Sequence, residues 1–185
     1  KSGQQIAFYA PGMDAAFKSR AGLLRALRDA VEGDALEIEF QPIVRTRNMS
    51  LVGFEVLSRW RHPEFGSVPP STFIPLAEEA GLIGKIGENV LRRACEQARK
   101  WASDRGHPVI LSVNVSTVQL EDGGFVNYVK NLLKETGCPP SLIELEITES
   151  SLMSDVAHAR RQLQALKELG VGIAIDDFGT GYSSL

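Results

Sequence analysis

Two adjacent carboxylates, Asp176 and Asp177, close the apolar run Val171–Ile175. Three more oxygen-bearing side chains stand at comparable places: Asn114 in VILSVNVS, Glu146 in LIELEITES and Glu55 in LVGFEVLSRW. Glu55, Asn114, Glu146 and Asp176 form a hard-ligand set without His or Cys, suited to Mg²⁺ or Mn²⁺ rather than Zn²⁺. Gathering carboxylates without a cation is costly, because like charges resist ionising together. The Asp176–Asp177 pair points to one aspartate bridging two cations while the other serves the second. Two cations side by side are a standard means of activating water against a phosphodiester. Arg59 shares a strand face with Gly53, Glu55 and Leu57, and its planar fork is suited to a phosphate oxygen.

Taken singly, each residue has a plainer role. A strand-end Asp or Glu caps a helix or sits as a surface charge, and Asn114 can complete a turn. Glu149 either caps the helix that follows or ties down the DDFGTG loop, and Arg59 can belong to a solvated basic patch, RWRH. The joint reading rests on four strands delivering an oxygen at the same end. Asp177-Phe178-Gly179 also has the form of a protein-kinase motif, but neither a Gly-rich loop with a downstream Lys nor an HRD motif precedes it.

The elements that must position these residues follow from periodicity. QQIAFYA (4–10) reads as a strand, and apolar positions from Met13 to about Val31 recur at helical spacing. LEIEFQPIV (36–44) and LVGFEVLSRW (51–60), joined by the polar link RTRNMS, read as an antiparallel hairpin. Helices are then expected in STFIPLAEEAG and IGENVLRRACEQARKW, a strand at 109–116 and a helix in FVNYVKNLLKETG. A strand at 142–150, a helix at 151–169 and a strand in VGIAID complete the series. Such alternation implies parallel strands covered by helices, in an open sheet or a barrel. Val109, Leu111, Val113 and Val115 oppose Ser112 and Asn114. Ile143, Leu145 and Ile147 oppose Glu144 and Glu146, and Ile173 and Ile175 oppose Gly172, Ala174 and Asp176. A doubly wound sheet needs both faces apolar. One apolar and one small or polar face fit a barrel better, with the polar residues opening at its C-terminal rim.

Length and composition set bounds. The chain has 185 residues, enough for one sizeable core, with 43% hydrophobic and 23% charged residues, as in ordinary globular proteins. A net charge of −3 argues against binding polymeric nucleic acid but leaves room for one small anionic ligand. Cys95 and Cys138 form no CxxC pair and no disulfide framework, which fits a reducing, cytoplasmic compartment. No apolar run reaches membrane-spanning length and the first residues show no signal-peptide pattern. A cytoplasmic portion of a membrane-anchored sensor remains compatible with this.

The segments FQPIV, FEVLSRWRHP, STFIPLAEEAGLI, SVNVS, ELEITES and DDFGTGYSSL occur in this order, and from about Leu23 onward the chain resembles the EAL domain. The resemblance implies a modified TIM-type (β/α)8 barrel with one antiparallel strand, and hydrolysis of cyclic di-GMP to linear pGpG with Mg²⁺ or Mn²⁺. It implies metal ligation by Glu55, Asn114, Glu146, Asp176 and Asp177, of which Glu55, Asp176 and Asp177 carry the catalysis. Substrate contacts fall on Gln41, Leu57 and Arg59, and Glu149 steadies the Asp177–Gly181 loop. That loop is linked to homodimerisation, and an intact form favours catalysis. The signature here is Glu-Val-Leu rather than Glu-Ala-Leu, a change that does not separate active members from inactive ones.

KSGQQIAFYAPGMD resembles the closing strand of a GGDEF domain, the diguanylate cyclase module that often precedes EAL domains. The expected division is a GGDEF-like tail at 1–14, a connector helix at 15–32 and the EAL domain at 33–185. Family members continue past DDFGTGYSSL with a lysine that holds the attacking water and a glutamate that acts as general base. Neither is in this sequence, so the domain is expected to be C-terminally truncated, with two exposed sheet edges, and inactive by itself. The alternative to an enzyme is a cyclic di-GMP receptor that binds without cleaving, and a third reading is a dimerisation or regulatory half-domain.

Overall fold

The computed structural model describes residues 13–105, 108–148 and 155–176. Helix α1 (Met13–Glu32) buries Leu27, Ala30 and Val31 and ends at Gly33. Asp34 then turns the chain with a left-handed backbone (φ 52°) into β1 (Glu37–Val44). Strand β2 (Leu51–His62) returns antiparallel to β1 in a register that sets Gln41 opposite Glu55. The link between them is tied by Met49 N–H donating to the Arg45 carbonyl (2.8 Å) and by Asn48 Oδ1 accepting from the Ser50 hydroxyl (2.9 Å).

A short strand, β3 (Gly66–Val68), folds back on the end of β2 and pairs Val68 with Trp60. Helices α2 (Pro70–Glu79) and α3 (Ile83–Arg105) follow, joined through Gly81. Next come β4 (Ile110–Val115), α4 (Thr117–Glu121), α5 (Phe125–Thr136) and a single 3₁₀ turn at Pro140–Leu142. β5 (Ile143–Thr148), α6 (Val156–Glu168) and β6 (Gly172–Asp176) complete the described chain. The sheet order is β1-β2-β4-β5-β6, with β3 on β2; β2, β4, β5 and β6 run parallel and β1 antiparallel.

The two faces differ as alternation requires. Leu111, Val113, Ile143, Leu145 and Ile147 are buried beneath the helices. At one end of the hairpin Trp101 of α3 packs against Phe40 and Phe54, with ring centroids 5.0 and 5.2 Å away. At the other, Trp60 meets Phe73 of α2 edge-on at 6.0 Å. The opposite face carries Gln41, Glu55, Asn114, Glu144 and Glu146, all half-buried or exposed. Gly53 lies on that face where β2 runs hard against β4: a Cβ there would stand 2.5 Å from the Ile110 carbonyl oxygen. Backbone cannot yield as a flexible side chain does, so Gly53→Ala is expected to destabilise the domain by about 2–3 kcal/mol, read from denaturant unfolding.

Two expectations on elements need correction. The hairpin strand extends to His62 rather than Trp60, because β3 supplies it with a partner. The strand at 109–116 is shorter, Ile110–Val115, since Ser116 is taken up as the N-cap of α4, a helix the periodicity does not reveal. Of the helix expected at 151–169, Val156–Glu168 is helical, and residues 151–154 lie outside the described residues. The expected strand at 4–10, Glu149, Asp177 and the DDFGTG loop beyond Asp176 lie outside the described residues.

Candidate active site

The strand register arranges the oxygen-bearing side chains as a rising series on one face. Glu55 is level with Gln41 on one side and Ser112 on the other. Asn114 is paired with Glu146, and Asp176 is level with Thr148, two residues beyond Glu146. Parallel pairing thus brings four separate segments to one end of the sheet, the end where α/β barrels keep their chemistry.

Two contacts define the chemistry there. Asn114 Nδ2 donates to Glu55 Oε1 at 2.8 Å, which fixes both side chains and keeps the Asn114 carbonyl oxygen available as a ligand. The Glu146 carboxyl is held above the usual carboxylate range, first by burial and then by the charge of Glu55, with Asp176 and Glu144 adding to it. The Ser112 hydroxyl opposes that shift while donating to Glu144 Oε1 at 2.9 Å. Among the described residues no three acidic, Cys or His side chains close on one point. Like-charged carboxylates resist gathering without a cation, and at Glu146 the charges of Glu55, Asp176 and Glu144 add to the effect of burial.

Leu57 and Arg59, beyond Glu55 on β2, line a cavity of about 320 Å³ between the strand ends and helices α2 and α3. Ile74, Ile86, Ser116 and Thr148 complete much of its wall, so apolar and polar surfaces meet in it. Arg59 Nε donates to Glu39 Oε2 at 2.8 Å, and Arg59 Nη1 to the Ser58 carbonyl at 3.0 Å. Gln41 is exposed beside Glu55. Sequence reasoning placed Glu144 and Ser112 on this face without giving them a role, and it passed over Glu39 altogether. The signal for all three was the same alternation that singled out Glu55.

One wall of the cavity depends on a close approach. Ser116 and Gln119 form a reciprocal capping box at the start of α4, and Gly87 of α3 lies under the Gln119 amide. A Cβ at Gly87 would come within 2.2 Å of Gln119 Nε2 and 2.5 Å of its Oε1. Gly87→Ala is therefore expected to expel Gln119 from the box. It should lower stability by about 1–2 kcal/mol, measurable by denaturant unfolding, while Gln119→Ala in the same background adds little further loss.

The family model of the EAL domain matches residues 24–185. This chain belongs to the EAL domain family. It is 45% identical over 178 residues to an uncharacterized signaling protein of Caulobacter vibrioides, covering 96% of this chain and 22% of the relative. It is 44% identical over 179 residues to the bifunctional diguanylate cyclase/cyclic di-GMP phosphodiesterase MucR of Pseudomonas aeruginosa, covering 96% of this chain and 26% of that protein. The solved PaMucR phosphodiesterase, in a c-di-GMP complex, superposes with a TM-score of 0.84 at 44% identity, over 88% of this chain and 66% of that one. The chain thus spans about a quarter of the curated relatives' length. The α/β, barrel-type architecture read from the strand faces is that of the EAL fold, with β1 as its antiparallel strand. No helix among the described residues of this EAL domain is long and apolar enough to cross a membrane.

Proposed function

We propose that this EAL domain hydrolyses cyclic di-GMP to linear pGpG, with Mg²⁺ or Mn²⁺, as one module of a longer bacterial signalling protein. The observation that carries the reading is the Asn114–Glu55 hydrogen bond on the sheet face that also carries Glu146 and Asp176, where the charges of Glu55 and Asp176 act on Glu146. The set fits a divalent cation: its donors are all oxygen, Asn114 pins Glu55, and the charges of Glu55 and Asp176 bear on Glu146. When bound, the cations stabilise charge developing on the phosphoryl group and activate water.

Glu55, Asn114, Glu146 and Asp176 would hold those cations, with Asp177 serving the second. Arg59 offers its terminal nitrogens to a phosphate at the mouth of the cavity, and Leu57 supplies an apolar contact for guanine or ribose. Gln41 offers an amide next to Glu55. Glu149 is read as the residue that steadies the loop after Asp176. That loop and the neighbouring helix are the proposed homodimer contact, α1 is the proposed connector to an upstream GGDEF domain, and the site works in the cytoplasm.

The test is incubation of the full-length protein with cyclic di-GMP and Mg²⁺, Mn²⁺ or EDTA, followed by chromatography of the products. Accumulation of pGpG in the metal-containing samples alone is expected. Tight binding with no cleavage under any condition would instead make the protein a receptor.

A further inference from the structure

Arg59 is held by a residue that has no part in the proposed metal set. In LEIEFQPIV, alternation sets Glu37, Glu39 and Gln41 on the face that carries Glu55, Leu57 and Arg59. Glu39 is opposite Leu57 in the hairpin, one pair removed from Arg59, and the diagonal brings its carboxylate to the Arg59 Nε at 2.8 Å. Its other oxygen is 3.4 Å from Arg61 Nη2, and Arg61 Nε is 3.6 Å from Glu37 Oε2. Glu39 therefore lies between two cations, which share its charge.

We propose that Glu39 is a positioning residue for substrate binding, acting through Arg59; this rests on the reading of the site given above. A guanidinium must present its donors in one plane to a phosphate, and a flexible arginine loses rotamer freedom on doing so. In this hairpin that ordering is already made. Glu39 accepts a hydrogen bond from Nε–H and the Ser58 carbonyl accepts one from Nη1. The remaining N–H groups on the terminal nitrogens, with no hydrogen-bond partner among the described residues, are open to a ligand in the cavity that Arg59 lines. The Arg59 and Glu39 side chains are 29% and 48% exposed, so the pair contributes little to folding and its effect should fall on binding. Sharing with Arg61 also limits the repulsion that a bare carboxylate would exert on an incoming phosphate.

The experiment is titration calorimetry of cyclic di-GMP into the full-length protein with Ca²⁺, comparing wild type with Glu39→Gln, Glu39→Ala and Glu37→Ala. Glu39→Ala is expected to weaken binding about 10-fold with an unchanged melting temperature. Glu39→Gln, which keeps an acceptor for Nε, should recover most of that loss. Glu37→Ala, whose partner is Arg61, should bind within about twofold of wild type. In an Arg59→Lys background, which lacks the Nε donor, Glu39→Ala should have no further effect. Glu39→Ala binding as tightly as wild type or more tightly, or an undiminished effect in the Arg59→Lys background, would overturn the proposal. If wild type itself fails to bind, the reading of the site falls and this inference with it. If wild type binds and Glu39→Ala does not differ, only this inference falls.

Discussion

Glu55→Gln in the full-length protein is expected to slow cyclic di-GMP hydrolysis by about 100-fold or more, with little change in melting temperature. The substitution keeps size and shape, and its amide oxygen can still accept from Asn114 Nδ2, the contact made at 2.8 Å in the structure. What it removes is the negative charge that a divalent cation needs from this strand. A rate assay by chromatography, paired with thermal unfolding, separates the two effects. A rate within about threefold of wild type would remove Glu55 from the metal set, since even residues that merely orient ligands cost about 10- to 100-fold.

Glu146→Gln is expected to act in opposite directions on two measurements. Burial and the charge of Glu55 already disfavour the ionised form of Glu146, so a neutral amide relieves the cation-free domain and its melting temperature should rise. The same change removes a ligand. At Mg²⁺ or Mn²⁺ concentrations of about 100 times Kd, wild type should gain about 2.7 kcal/mol of stability and the variant almost none. Thermal shift with and without EDTA reads both. A variant that melts lower without metal, or that keeps the wild-type response to it, would show that Glu146 is an ordinary packed side chain.

Much of the frame was legible because the strands are strictly two-faced. Leu145 and Ile147 are fully buried while Glu144 and Glu146 open to the other side, and that contrast alone favoured a barrel with a polar interior over a doubly wound sheet. The hairpin at 36–60 was legible for the same reason. Short elements were not. β3 has three residues, too few for any period, and exists because β2 offers it an edge at Trp60. α4 has five residues, though Ser116-Thr-Val-Gln119 carries the capping-box spacing that announces it.

The shared strand face was legible, but the contacts across it were not. Alternation put Asn114 and Glu55 on one face, yet their hydrogen bond depends on β2 and β4 pairing Glu55 with Ser112, a register the sequence does not state. The contact made by Glu39 was hidden for the same reason. Its reach to Arg59 is a diagonal fixed by the pairing of Gln41 with Glu55.

The proposal for this site is binding of cyclic di-GMP by the strand ends from Glu55 to Asp176 through divalent cations. Its most direct test is titration calorimetry of cyclic di-GMP into the full-length protein and into Asp176→Asn, each with Ca²⁺ and with EDTA. Binding by wild type is expected with Ca²⁺, and weak or no binding with EDTA or in the variant. Equal affinity in EDTA would contradict it, as would an Asp176→Asn protein that binds like wild type.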